Sequence, residues 1–340
     1  MVTIADVARE AKVSVATVSR VLNNNSRVIP ETTQRVEAAI KKLRYEPNIL
    51  ARNFRKNESR VILILAPNIT NPYYSNILTG IGAAARRLGY SVMICTTDGE
   101  SAQELEFLNM LAKKRADGAI LLASVMQSRE LEKYARQYPI VQCSEYEPGT
   151  KIAHVAVDNY KAARQAVDYL IKTGHTRIAT ISSVNGYPST RLRLKGYYDG
   201  LQEAGIPVTE DYIRYGSFDY SFQSGVVAAE GVLGLDQRPT AIFCISDMLA
   251  LGAINGAQAM GFRVPEDVSI LGFDDVEHAT MFRPHITTMA QPCYQLGECA
   301  AELLYELMRE EDEKRREIML PSELKIRAST KSSTGEGERA

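Results

Sequence analysis

The side chains best suited to chemistry in this sequence lie between residues 14 and 23. A short helix there would direct Val18, Val21 and Leu22 to one side. Its other side, toward the N-terminus, then carries small, polar and basic groups: Val15, Ala16, Thr17, Ser19 and Arg20. A helix fits the major groove of DNA, and arginine can read guanine there through two hydrogen bonds. The spacing therefore predicts a helix that reads base edges.

Two short helices would position these groups. Thr3 can cap the first helix, and Asp6 three residues later completes a capping box. The apolar residues at helical spacing are Ile4, Val7, Ala8 and Ala11. Lys12 and Val13 leave room only for a tight turn, and Ser14 is suited to cap the second helix. Two helices joined by so short a turn predict a helix-turn-helix.

A third helix is predicted from Pro30 to about Leu43. Proline is favoured at a first helical position, and Glu31 lies near the positive end of the helix dipole. Because Ile29 precedes the proline, the proline itself must define the start of the helix.

Basic charge is concentrated in the first 60 residues. They hold twelve Lys or Arg against six Asp or Glu, a net charge of +6 in a chain whose total is −1. The remaining residues therefore carry −7. A basic head on an acidic body is what phosphate binding requires, since each neutralised phosphate releases condensed counterions.

The amino-terminal segment resembles the opening of the LacI/GalR family of bacterial transcription regulators. The similar residues read T-I-A-D-V-A-x-x-A-x-V-S-x-x-T-V-S-R-V-L-N, and the match continues through Pro30-Glu31-Thr32, Leu43-Arg44-Tyr45, Pro47-Asn48 and Ala51-Arg52. The resemblance extends to about residue 328. The DNA-binding residues that motif and resemblance together predict are Thr3, Ser14, Val15, Ala16, Thr17, Ser19, Arg20, Asn23, Phe54 and Arg55.

Residues 48–56 could form only about two helical turns, which are unstable alone in water. The resemblance implies that this hinge folds against DNA and inserts a side chain at Phe54 into the minor groove, with Arg55 beside it. An ordinary contact of Phe54 with the body is the alternative.

The body alternates apolar strand-like runs with helical ones. The runs that indicate strands are 61–66, 91–97, 118–123, 139–144 and 154–157, followed by 177–182, 241–246, 268–273 and 286–290. The stretches between them that indicate helices include 75–89, 102–115, 160–173, 221–233 and 247–260. Such alternation predicts parallel α/β sheets covered on both faces. Two series predict two lobes, with a ligand cleft at the carboxyl ends of the strands. This pattern resembles the periplasmic sugar-binding-protein fold.

The resemblance also implies effector-binding positions in the cleft: Tyr73, Tyr74, Asp158, Arg193, Phe218, Asp247, Asp274 and Gln291. Tyrosine offers an apolar face to a sugar ring and a hydroxyl to its edge. The spacing of Arg193 to Gly196 favours this arginine over its close competitor Arg191. Asp247 follows a predicted strand, where a helix cap is an equally good interpretation.

Other chemistry finds little support. The run Gly80-x-Gly82-x-x-Ala85 fits a dinucleotide fingerprint but lies inside a predicted helix, the wrong context. No P-loop or G-x-S-x-G nucleophile elbow occurs, and the four histidines show no metal-ligand spacing. The five scattered cysteines are expected to be reduced thiols. We therefore expect no enzyme activity, cofactor or metal.

The predicted domains are a helix-turn-helix head (1–46), a hinge (47–60), an effector-binding and dimerisation core (61–328) and a disordered tail (329–340). No leader or membrane segment is expected, so the protein should be cytoplasmic. The stretch MREEDEKRREIM is too charged and too short for a stable coiled coil, which favours a homodimer.

The expected function is that of a transcription regulator, a repressor, that binds a near-palindromic operator under the control of a small effector. Paired tyrosines favour a carbohydrate effector. A purine, another metabolite or a protein corepressor stays open, and a solute-binding protein is a distant alternative.

Overall fold

We describe the chain from a computed structural model that covers residues 2–22, 28–45, 58–309 and 317–331. It divides into two compact units, residues 1–59 and residues 60–340. Within the described residues the α-helices are α1 (Ile4–Glu10), α2 (Val15–Leu22), α3 (Pro30–Leu43), α4 (Pro72–Arg87), α5 (Ser101–Ala112), α6 (Ser128–Ala135), α7 (Asn159–Lys172), α8 (Pro188–Glu203), α9 (Phe222–Leu233), α10 (Asp247–Ala259), α11 (His278–Met281) and α12 (Cys293–Met308). The strands are β1 (Val61–Ala66), β2 (Ser91–Thr96), β3 (Gly118–Leu121), β4 (Ile140–Cys143), β5 (Ala153–Val157), β6 (Ile178–Ser183), β7 (Ile213–Gly216), β8 (Ala241–Cys244), β9 (Ser269–Asp274), β10 (Thr287–Ala290), β11 (Glu317–Leu320) and β12 (Glu323–Lys325).

The first unit is a bundle of α1, α2 and α3 around a small apolar core. Its buried residues are Val7, Ala8, Ala11, Val18, Val21, Val36 and Ala39. The predicted capping box at Thr3 and Asp6 is present, and Lys12 takes the left-handed conformation that the tight turn requires. Helix α3 begins at Pro30 with no side-chain cap from Ile29, as the sequence predicted.

The second unit contains two six-stranded sheets. In the first, the strand order is β11-β5-β4-β3-β1-β2, and all pairs are parallel. In the second, the order is β12-β10-β9-β8-β6-β7, parallel except for the antiparallel pair of β10 and β12. The predicted two-lobed, parallel α/β architecture is confirmed. Each predicted strand is present, with ends that differ by one or two residues.

Helices cover each sheet, and they enclose two apolar cores in lobe 1 and one in lobe 2. In lobe 1, α4 and α12 pack together with one set of buried strand residues, and α5 and α6 with another. In lobe 2, the pairs α7–α8 and α9–α10 enclose the largest core. The pair α4–α12 is packed backbone against backbone, because a Cβ at Gly80 would lie 3.0 Å from the carbonyl carbon of Tyr294 and 3.1 Å from the amide nitrogen of Glu298.

The chain passes between the lobes three times. The first passage lies between β5 and α7, the second between β10 and α12, and the third between β11 and β12. Lobe 1 is therefore assembled from residues 61–157 together with 292–309 and 317–320, and lobe 2 from residues 158–291 together with 321–331. Asp158 and Gln291 lie at the first two passages.

The prediction of a disordered tail from residue 329 is wrong for its first residues. Ser329 and Thr330 are buried. The Ser329 hydroxyl donates to the Ile270 carbonyl at 2.5 Å and accepts from the Thr287 amide at 2.8 Å. The Ser329 hydroxyl thus satisfies backbone groups of β9 and β10 and holds the chain against the second sheet beyond β12. Residues 332–340 lie outside the described part.

Candidate functional site

The exposed side of α2 presents the predicted DNA-reading groups. Val15, Ala16 and Arg20 are exposed, and Thr17 and Ser19 are partly exposed, while Val18 is fully buried. The Ser14 hydroxyl accepts a hydrogen bond from the Thr17 amide at 3.1 Å and so caps the first turn. The helix therefore buries one stripe and leaves its N-terminal polar face accessible to a ligand. That these residues contact DNA remains a prediction, as it does for the exposed cap residue Thr3.

Asn23, Phe54 and Arg55, the other predicted DNA-binding residues, lie outside the described residues. The same holds for most of the predicted hinge.

Arg193 lies in the interior of lobe 2, on α8. Its Nε donates to Asn159 Oδ1 at 2.8 Å, and its Nη1 donates to the Ile245 carbonyl oxygen at 2.6 Å. The guanidinium lies 3.7 Å from the centre of the Phe273 ring and 3.7 Å from Asp274 Oδ1. Arg193 is thus anchored by its own lobe, in the geometry of a preorganised cation.

A chain of hydrogen bonds joins the lobes beside this arginine. The Tyr73 hydroxyl of lobe 1 contacts Ser144 Oγ at 2.7 Å and donates to Gln291 Oε1 at 3.3 Å. Gln291 Nε2 in turn donates to Asp274 Oδ1 of lobe 2 at 2.7 Å. Burial raises the pKa of Asp274 to about 7, against the opposing effect of Arg193. Four of the predicted effector residues therefore meet in one interlobe cluster: Tyr73, Arg193, Asp274 and Gln291.

Asp247 is fully buried and holds a turn in place. Its Oδ1 accepts from the Thr288 hydroxyl at 2.6 Å, and its Oδ2 accepts from the Val276 amide at 2.9 Å. The side chain that caps α10 is Ser246, which accepts from the Leu249 amide. Burial raises the pKa of Asp247 well above its usual range. Asp247 thus ties the segment that follows Asp274 to strand β10.

The remaining predicted effector positions lie around the cluster. Asp158 caps α7 by accepting from the Lys161 amide at 2.9 Å. Tyr74 is buried edge-to-face against Tyr73, with ring centres 5.4 Å apart. Phe218 of lobe 2 packs closely on Gly99 of lobe 1, where an added Cβ would lie 2.6 Å from the Phe218 ring. These positions suit contacts that hold the lobes together, and their role toward an effector remains a prediction.

A cavity of about 250 Å³ lies between the lobes, next to the cluster. Its described lining residues are Ser124, Val125, Met126, Ser128, Leu131, Gln142, Glu145, Tyr146, Glu147, Thr150, Ile152, Asn185, Gly186, Tyr187, Pro188 and Arg191. The effector residues that the sequence predicts include none of these, although Arg191 is the close competitor of Arg193 for the effector-binding role. Because residues 191 and 193 are two apart on α8, they point to different sides of the helix.

Two carboxylates of lobe 1 reach across this cavity to lobe 2. Glu145 is buried and accepts from the amide of Ser189 at 3.0 Å and from its hydroxyl, in the first turn of α8. Glu147 accepts from Arg191 Nη2 through both oxygens, at 2.7 and 3.0 Å. Burial raises the pKa of Glu145, and the hydrogen bonds from Ser189 oppose that effect. These contacts close the two lobes on one another.

A sequence signal for these residues was present but weak. Gln142 lies near the carboxyl end of the buried strand β4, Glu145 follows that strand and Asn185 follows β6, and cleft residues occur at such strand ends in parallel sheets. None of the three lies in a distinctive motif, so the sequence alone does not single them out.

Among the described residues, no group of three or more His, Cys, Asp or Glu side chains could hold a metal ion. In the same parts of the chain, every helix is too short or too polar to cross a membrane. All five cysteines are free thiols.

Comparison with known protein families gives two matches. Residues 3–48 match bacterial regulatory proteins of the lacI family, and residues 167–330 match a periplasmic binding protein-like domain. The first match spans α1, α2 and α3, and the second spans most of lobe 2.

Individual relatives align over nearly the whole chain. The HTH-type transcriptional repressor CytR of Escherichia coli (strain K12) is 39% identical over 330 residues, which are 97% of this chain and 96% of CytR. The crystal structure of the lac repressor dimer bound to operator and the anti-inducer ONPF is 28% identical, has a TM-score of 0.89, and covers 97% of this chain and 99% of its own. A complex of the transcriptional regulator CelR with cellobiose is 30% identical, has a TM-score of 0.72, and covers 97% of this chain and 100% of its own.

Proposed function

Because the chain belongs to the LacI family of bacterial regulatory proteins, it is a DNA-binding transcriptional repressor, and we propose that a sugar or sugar derivative bound between its lobes controls its affinity for an operator. The observation that carries this proposal is the interlobe cluster around Arg193, with a cavity beside it. The relatives compared above are regulators and not enzymes. Binding to DNA implies a cytoplasmic location.

The α2 surface supports base reading by the head. Arg20 is exposed at the end of the accessible stripe, where its guanidinium can donate two hydrogen bonds to guanine. The net charge of +6 over residues 1–60 supplies the non-specific attraction to phosphates. We propose that Thr3, Ser14 and Thr17 position α2 by contacts to phosphates, and that Asn23 and the hinge residues Phe54 and Arg55 add contacts on folding against DNA.

The chemistry of the cleft supports an uncharged polyhydroxy effector. Tyrosine and amide groups are suited to hydroxyls, and the Arg193 guanidinium already has a carboxylate of its own chain as a neighbour. The CelR structure holds a sugar, cellobiose, on a fold of this kind. A purine, another metabolite or a protein corepressor is the alternative for this site.

The interlobe contacts suggest how an effector would act. Gln291 joins Tyr73 of lobe 1 to Asp274 of lobe 2 at a chain passage. A ligand that replaces one of these bonds changes the preferred angle between the lobes, and we propose that this change prevents the hinge from folding on DNA. By linkage, effector and operator weaken one another's binding equally, by about 1–3 kcal/mol.

Exposed apolar residues on both lobes support a homodimer. In lobe 2, Phe222 and Phe282, the latter 57% exposed, line a cavity of about 410 Å³, and Met281 next to Phe282 in the chain is exposed as well. In lobe 1, Val92 and Ile94 are exposed on the edge strand β2. Contiguous apolar patches mark protein–protein interfaces. A two-fold dimer would present one head to each half of a near-palindromic operator.

The proposed function is tested by selecting duplexes from a random pool with the full chain. We expect enrichment of sequences with dyad symmetry and an affinity that falls steeply as salt increases. A sugar panel then identifies compounds that shift this affinity. Failure to enrich any dyad-symmetric sequence, with and without the panel, would contradict the proposal and favour a solute-binding protein.

A further inference from the structure

The interlobe cavity contains polar atoms that the protein itself leaves without hydrogen bonds. Gln142 and Tyr187 are both more than nine-tenths buried and line the cavity from opposite lobes. Among the described residues, neither Gln142 Oε1 nor the Tyr187 hydroxyl has a hydrogen-bond partner. Buried polar atoms are rarely left unpaired, because each one costs about 1–3 kcal/mol. Two such atoms at one cavity indicate a ligand that satisfies them.

The other walls limit the shape of this ligand. Met126, Leu131 and Ile152 form an apolar wall, and Tyr146 adds an aromatic ring that stacks on His154 at 4.0 Å. The volume of about 250 Å³ lies just below the ~300–1,000 Å³ that is typical of small-ligand pockets. A single ring compound with one apolar face and a polar edge fits such a space.

The charges around the cavity disfavour anions. Among the described lining residues the carboxylates are Glu145 and Glu147, and Arg191 is the one basic residue. Arg191 is already bound by both oxygens of Glu147 and donates to the Gly186 carbonyl at 2.6 Å. No uncommitted cation of this lining therefore faces the space.

The helix terminus that could bind a phosphate is also occupied. Helix α8 begins at the cavity, and helix N-termini attract phosphates through their backbone amides. Here the buried Glu145 carboxylate accepts from the Ser189 amide in the first turn of α8. The protein's own carboxylate takes the place that a phosphate would need, and a second anion there would be repelled.

We propose that this cavity binds a small, unphosphorylated ring compound, neutral or cationic, with an N–H or O–H group that donates to Gln142 Oε1 and a polar group that pairs with the Tyr187 hydroxyl. Anionic derivatives of the same compound, such as its phosphate ester, are excluded. This inference rests on the proposed function, because it names the chemistry of the effector for the same interlobe site.

The test uses matched pairs of probes with the full chain. The pairs are ribose and ribose 5-phosphate, glucose and glucose 6-phosphate, and adenosine and AMP, with glucosamine as a cationic member. We expect at least one unphosphorylated member to raise the Tm and to bind at least about tenfold more tightly than its phosphate ester. Equal or tighter binding of a phosphate ester, or binding of no member, overturns the proposal.

Two tyrosine variants separate a ligand contact from a structural one. Tyr187→Phe removes a hydroxyl without a partner, so the Tm of the free protein should not fall, whereas ligand affinity should fall about fivefold. The matched control is Tyr197→Phe, which removes a hydroxyl that donates to the Ile178 carbonyl at 2.7 Å in the lobe 2 core. The control should lower the Tm and leave affinity unchanged. A Tyr187→Phe variant that behaves like this control contradicts the proposal.

A charge variant tests the exclusion of anions. Glu147→Gln removes one carboxylate, leaves the buried Glu145 contact in place and releases Arg191. The gap in affinity between a compound and its phosphate ester should narrow by about fivefold or more. An unchanged gap overturns the electrostatic part of the proposal. Operator selection with the same preparations separates a failure of this inference from a failure of the proposed function. If dyad-symmetric duplexes are enriched but no probe binds, the inference alone is overturned. If no duplex is enriched, the proposed function alone is overturned.

Discussion

The substitution Gly80→Ala should separate α4 from α12 and destabilise lobe 1. A Cβ at this position would lie 3.0 Å from the Tyr294 carbonyl carbon and even closer to its oxygen, where ordinary contacts begin at 3.4 Å. Both obstacles are helix backbone, which cannot rotate away as a side chain can. The helices would have to part by on the order of 1 Å, and each lost contact weakens dispersion across the whole interface.

The expected cost is the difference between two effects. Overpacking a core typically costs about 1–3 kcal/mol, and the higher helix propensity of alanine returns up to ~1 kcal/mol. The displacement here involves two backbones, so we expect a net loss of about 1–3 kcal/mol. A domain of this size should then lose roughly 2–4 °C in Tm for each kcal/mol.

Gly82→Ala is the matched control. It lies in the same helix two residues later, and a Cβ there would meet nothing within 4 Å. Helix propensity alone then acts, and the variant should gain about 0.4–1 kcal/mol. Urea denaturation followed by far-UV circular dichroism measures both variants. If Gly80→Ala is as stable as Gly82→Ala, the close approach of the two helices described above is incorrect.

Three further changes test other parts of the molecule. Arg20→Ala should cost about 1–3 kcal/mol on a selected operator and relax discrimination at one base pair; equal losses on operator and random duplex, measured by fluorescence anisotropy, would remove Arg20 from base reading. Burial lowers the pKa of His175 from its usual 6.5 to about 4, so the folded chain resists a proton that the unfolded chain accepts. The buried neutral imidazole therefore contributes its full stabilisation above pH 6.5, and the free energy of unfolding falls by on the order of 3 kcal/mol as the pH drops toward 4. The urea midpoints of wild type and His175→Gln should converge in acid, and parallel curves would contradict this. Phe282→Glu should turn a dimer into monomers in sedimentation velocity, and a variant that stays dimeric would assign the interface to another face.

The strands could be predicted from the sequence where they are buried on both faces. Runs such as 61–66 and 241–246 consist almost entirely of apolar residues, and a short apolar run between turn signals indicates a strand in a covered parallel sheet. The strands that the sequence did not reveal, β7, β11 and β12, all lie at sheet edges. They are three or four residues long and include charged residues, so their conformation depends on a neighbouring strand that the sequence does not identify.

The site was harder to predict because the direction of each side chain in the fold matters as much as its spacing in the sequence. The motif that favoured Arg193 places Gly196 against the backbone of α7 and Tyr197 in the lobe 2 core, so its spacing also reflects helix packing. Arg191 and Arg193 differ by two residues, and only the three-dimensional approach of lobe 1 decides which one lines the cavity. The Gly80-x-Gly82 run likewise reflects packing at Gly80, which supports its rejection as a dinucleotide motif.

The triple passage of the chain between the lobes affects how the protein can be made and truncated. The α12 helix and strand β11, which complete the first lobe, are encoded after more than a hundred residues of the second. During synthesis the first lobe must therefore wait, with one flank of its sheet uncovered, until nearly the entire polypeptide has left the ribosome. A premature stop after residue 291 would damage both halves at once. Fragments intended to isolate either half should join discontinuous segments through a short engineered linker.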